Sequence, residues 1–163
     1  MTAAHSHTPV SGPYVSRPSV SQPPISVAVL DLLARARTTL ESACHTSDAS
    51  ERYRGAHLGA LRAAAALVAA RTAPTPRARP RSVWQLLPGV APELGEWAAF
   101  FAACSAHRSA IDRGELISAR ESDDLLRQAE MFLEIVQDLL GIPLTVPLPQ
   151  SITPVSRSRA SGA

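Results

Sequence analysis

The chain has 163 residues, 45% of them hydrophobic, and a formal net charge of +2 carried with no lysine at all; this is about one domain's worth of core. So mild a charge excludes an argument for nucleic-acid binding from the total alone, and two cysteines exclude a disulfide framework. The most apolar run, AAAALVAA, is far too short to span a bilayer, and His, Ser and Pro stand where a leader would need a basic and then an apolar run, so the chain reads as soluble and cytoplasmic.

Residues 1–24 are rich in Ser, Pro and Thr and hold too few large apolar groups to offset the entropy of ordering them. They are expected to be a disordered tail. The first helix is expected over about Ser26 to Ala43, where Val29, Leu32, Leu33, Ala36 and Leu40 share one stripe. A second helix begins at Asp48 or Ser50, either a competent N-cap, and ends near Arg71 before Pro74. Its faces differ in size: Tyr53, His57, Leu61, Ala64 and Val68 form one stripe, while Ala56, Gly59, Ala63 and Ala66 form a small face that would let another backbone approach closely.

Residues 72–82 are a linker within the domain, because Pro74, Pro76 and Pro80 exclude helix there. Its Arg77, Arg79 and Arg81 could touch nucleic acid, but no helix-turn-helix signature accompanies them. SVWQLLPG reads as a short helical turn opened by Ser82 and closed by Pro88 and Gly89. Pro92 suits the first turn of a third main helix, which runs to about Asp112 with Leu94, Trp97, Phe101, Cys104, Arg108 and Ile111 on its stripe. An arginine on such a stripe either snorkels at an edge or is paired.

The fourth main helix has the clearest punctuation. Ser118 and Glu121 form a capping box, and Gly141, followed by Pro143, stands where a left-handed C-cap belongs. Leu125, Ala129, Phe132, Val136 and Leu139 or Leu140 recur at helical spacing between them. Residues 142–163, with four prolines, are expected to be a second disordered tail. The fold class is therefore all-α: an antiparallel bundle of about four main helices over residues 25–141.

Arg52 and His57 in ERYRGAHLGALR raise the question of chemistry. Sixteen arginines and five histidines give ~0.5 matches by chance for a fixed spacing and ~1.5 over three spacings, so the match alone has no specificity. On a continuous helix the two residues stand roughly 140° apart, whereas Arg54 lies one turn from His57. The bland reading is a border histidine satisfied by hydrogen bonds and a solvated arginine. The functional reading needs both side chains on one phosphodiester, the arginine neutralising the phosphate and the histidine moving protons, with no metal or cofactor. Arg54 and Arg108 are then candidate binding residues. Cys104 and His107, joined by Cys44 or His45, are a poor zinc site, since only one pair has ligand spacing. The carboxylates Glu93, Glu96, Asp123 and Asp124 are explained by the dipoles of the helix starts near which they fall.

YRGAHLGALRAAAALVAAR, SVWQLLPGVAPELGEWAAFFAACSAHRSAIDRG and SARESDDLLRQAEMFLEIV together resemble a small actinobacterial, streptomycete-type family of HEPN domains (higher eukaryote and prokaryote nucleotide-binding), over roughly residues 26–140. The long middle motif carries the resemblance. It implies a helical bundle, often a homodimer, in a superfamily with many metal-independent ribonucleases, whose Arg-x4-6-His motif lines a cleft between subunits. Carried over by position, Arg52 would contact the scissile phosphate of RNA and His57 would transfer protons. Other HEPN domains are catalytically inactive and serve as dimerisation or protein-interaction modules. The motif falls here in the second helix, where active members usually carry it in later ones.

Overall fold

The computed structural model describes residues 25–73 and 81–142. The expected tail at 1–24, the expected tail at 142–163 apart from Ile142, and Arg77 and Arg79 of the linker lie outside the described residues, while Ile142 packs half-buried against the core. Within them the chain forms helices α1 (Val27–His45), α2 (Ala49–Arg71), α3 (Val83–Val90), α4 (Gly95–Asp112) and α5 (Ala119–Leu139), with a 3-10 turn at Pro92–Leu94 leading into α4. No strand occurs among the described residues. The all-α bundle is as expected.

The caps explain the boundaries. Asp48 rather than Ser50 caps α2, its carboxylate accepting from Glu51 N at 2.7 Å. Ser118 and Glu121 make the reciprocal capping box of α5, and Ser82 and Gln85 make another at α3. At the far end of α5, Gly141 takes φ 66°, and the amides of Gly141 and Ile142 reach back to Asp138 O and Gln137 O, both at 3.0 Å. Gly114 (φ 99°) closes α4 in the same way.

Pro88 does not end α3, contrary to the sequence expectation. The helix runs on to Val90, and the Ala91 amide donates to Leu87 O at 2.8 Å. A proline forfeits its own donor and crowds the carbonyl four residues back, here that of Trp84 in the first turn, and in so short a helix the surrounding bonds suffice. Pro92 opens a 3-10 turn, which hands over to α4 at Gly95.

α2 and α5 form the centre of the bundle and run parallel, since Arg52 meets Asp123 near their starts while Arg37 and Arg62 tie α1 to both further along. α1 and α4 run the other way on either side. The α1–α2 seam is made of small residues: a Cβ on Gly55 would lie 2.8 Å from Ala43 Cβ, and one on Gly59 would lie 2.4 Å from Leu40 Cδ2. The small face of α2 is thus filled by α1 of the same chain. It is not a surface left over for a partner subunit.

The α4 side is built differently. α4 packs on α2 and α3, while its backbone barely approaches α5. Aromatic rings fill the space: Phe101 lies 5.1 Å from both Trp84 and Phe132, and Trp97 lies 5.5 Å from Phe132. Phe101 and Phe132 are fully buried, but of α4 only Ala98, Phe101 and Ile111 are buried, with Trp97 and Cys104 half-buried.

Candidate functional site

α2 presents Arg52, Arg54 and His57 to different neighbours. Arg52 sends Nη1 to Asp123 Oδ1 on α5 at 2.6 Å and Nη2 to Thr46 O, in the turn after α1, at 2.7 Å. Its side chain is 16% exposed. Both ends of its fork therefore bind this chain. Asp123, which helix-dipole reasoning accounted for alone, is the partner of this ion pair, just as Glu93 is the partner of Arg71 at 3.2 Å.

His57 points to α4 instead. It is 3% exposed, and its Nε2 stands 2.9 Å from Ser105 Oγ and 3.2 Å from Phe101 O. Because the Ser105 hydroxyl donates to Phe101 O at 3.0 Å, its oxygen is free to accept, which favours a neutral imidazole protonated at Nε2. Nδ1 is buried without a hydrogen-bond partner among the described residues. Burial lowers the His57 pKa, the Phe101 carbonyl opposes the shift, and the charge of Arg108 adds to it. A neutral ring is the resting form.

Arg54 and Arg108 do come together, on the α2–α4 seam that also holds His57. Arg54 donates from Nε to Asp112 Oδ1 at 2.7 Å and from Nη1 to Glu51 Oε1 at 2.9 Å. Arg108 Nε lies 3.9 Å from Asp112 Oδ2, without a hydrogen bond. The Arg54 bond holds the Asp112 carboxyl below the usual carboxylate range, so Asp112 sits as an anion between two cations. Arg52 belongs to another side of α2, and the seam gathers His57, Arg54 and Arg108 without it.

Across α4 from that seam lies an open groove between α4 and α5. Tyr53, Trp97, Phe100 and Leu125 give it an apolar lining, and Glu96, Glu121 and Asp124 stand around it. Phe100 is 41% exposed. The phenol of Tyr53 donates to Cys104 O at 3.4 Å, and burial raises its pKa and that of the Cys104 thiol. Helical periodicity puts Trp97 and Cys104 on the core stripe, but both are half-buried and face this groove. Cys44 and His45 are exposed, and no group of three or more metal-binding side chains occurs among the described residues. Nor is any described helix long and apolar enough to cross a membrane.

Neither a curated protein nor a solved structure matches the chain. A family model does: SAV_6107-like HEPN matches residues 43–137, from the end of α1 through nearly all of α5. With more than half of its length covered by that match and an all-helical bundle beneath it, the chain belongs to the SAV_6107-like HEPN family.

Proposed function

We propose that the chain is a catalytically inactive HEPN-type helical module of the cytoplasm, which works by docking a protein partner rather than by cleaving RNA. One observation carries this reading: the two groups that would have to flank a phosphodiester are spent within the fold. The imidazole of His57 is 3% exposed, with Nε2 bound to α4, and the guanidinium of Arg52 is shared between Asp123 and Thr46 O. A general base must lie within hydrogen-bond reach of the proton that it takes. Releasing His57 would require α4 to leave the bundle, and releasing Arg52 would strand a half-buried charge.

In this reading Arg52 fixes the start of α5 and His57 fixes the register of α4, while Arg54 and Arg108 stabilise the seam through Asp112. Assembly into a homodimer is compatible with it, through surfaces other than the small face of α2, and sedimentation velocity measures it.

The test is incubation of the purified chain with mixed RNA in the presence of a chelator. The module reading expects no fragments ending in a cyclic phosphate. Fragments made by the wild type and lost in Arg52→Gln and His57→Gln, with the helical circular dichroism of both variants intact, would reject it and restore the ribonuclease.

A further inference from the structure

The groove between α4 and α5 has an unusual lining for an exposed surface. Phe100 and Gln128 border both its halves, so Trp97 at one end and Tyr53, Leu125 and Cys104 at the other form one continuous trough. Three carboxylates, His107 beside Glu121 and no arginine line it. Glu121 is held ionised by the bonds that it accepts from Ser118, and Glu96 stands exposed at the Trp97 end. Arg120 and Arg127, which pair with Asp124, lie outside the lining.

An aromatic trough with a negative rim suits an extended, proline-rich ligand that carries arginine. Such segments hold a polyproline conformation without help and lay their rings against aromatic faces, while the arginine pairs at the edge. The chain has such a segment of its own. Residues 143–163 contain Pro143, Pro147, Pro149 and Pro154, interleaved with Leu144, Val146, Leu148 and Ile152, then Arg157 and Arg159, and no acidic residue.

The geometry permits the connection. α5 forms one wall of the groove, and this segment follows directly from its end at Ile142. Going back along α5 from Ile142 to Asp124 takes about 27 Å at the helical rise, while the chain from 143 to 157 covers about 45 Å in polyproline form. The N-terminal residues leave from α1, which makes no substantial contact with α4 and lies on the other side of the α2–α5 pair.

We infer that residues 143–159 fold back into the α4–α5 groove, with the prolines against Trp97 and Phe100 and with Arg157 and Arg159 facing Asp124 and Glu121. The inference builds on the reading of the chain as a docking module and names what covers its groove.

Hydroxyl-radical footprinting of the full chain tests it, with Trp84 as buried reference and Leu116 as exposed reference. In the wild type Trp97 and Phe100 are oxidised several-fold more slowly than in Arg157→Glu/Arg159→Glu and in Leu148→Asp, while Trp84 and Leu116 do not change. These substitutions fall outside the described residues, and unchanged helical circular dichroism shows the bundle intact in each variant. Equal rates in wild type and variants overturn the inference. So does protection of Trp97 that grows with chain concentration, which would assign the groove to a second copy. Cleavage of RNA is read in a separate assay, so the module reading and the identity of the groove's occupant fail independently.

Discussion

The two seams of α2 are built on opposite plans. Towards α1, Gly55 and Gly59 let the backbones close to a distance at which even one added carbon collides. Towards α3 and α4 the contact is made by rings, and the three buried side-chain polar atoms without a hydrogen-bond partner among the described residues, His57 Nδ1, Trp84 Nε1 and Arg108 Nε, all lie on that side. Small-residue packing has one solution and fixes the fold. The aromatic side, with the α4 and α5 backbones apart, leaves polar groups inside and a groove outside. The seam that could bear function is the one that is less completely satisfied.

Substitutions that act on one seam at a time separate the two plans. The largest effect is expected for Phe101→Ala, which removes the ring between Trp84, Trp97 and Phe132 and costs about 3–5 kcal/mol by chemical denaturation. A cost under ~1 kcal/mol would mean that α4 is not held by its rings. Gly55→Val drives a branched side chain into Ala43, which has no flexible end to move, and costs about 1–3 kcal/mol. Tolerance of valine there would show that the α1–α2 seam is not closely packed. Arg52→Ala removes charge-assisted bonds to Asp123 and Thr46 O and, with Asp123 half in solvent, costs about 1–2 kcal/mol. A neutral outcome would free Arg52 for another task.

The smallest effect is a pH dependence. The folded pKa of His57 lies below its ordinary 6.5, so the unfolded chain takes up the proton first as pH falls. The stability that His57 contributes is therefore complete above about 6.5 and is lost below it, towards the folded pKa. The melting temperature should fall from pH 7.5 to 5.5, and the fall should shrink in His57→Phe. An equal fall in both proteins would place the titrating group elsewhere.

The helices were legible because their signals are local. The Ser118–Glu121 box and Gly141 could be named from spacing, and Val29, Leu33, Ala36 and Leu40 could be placed on one buried stripe because a helix repeats that stripe whatever it packs against. The small face of α2 was legible in Gly59, but not its occupant, and the equally close approach at Gly55 was not: the identity of the neighbouring backbone, α1, depends on how the chain turns. For the same reason the partners of Arg52 and His57 could not be found. Asp123 is 71 residues from Arg52, and Ser105 is 48 from His57, and no periodicity links such positions. Pro88 was misread because a general rule about helix interiors was applied to an eight-residue helix. The groove escaped notice because α4 alternates apolar residues as a core helix does, although only one side of it meets the bundle.

Imidazole nitrogen NMR of the full chain decides whether His57 is a structural member of the α2–α4 seam. A structural His57 gives a neutral ring protonated at Nε2 that does not titrate near 6.5, its protonation displaced below that value. A ring that titrates freely near 6.5 in the folded protein, exchanging its proton with solvent, would contradict that role.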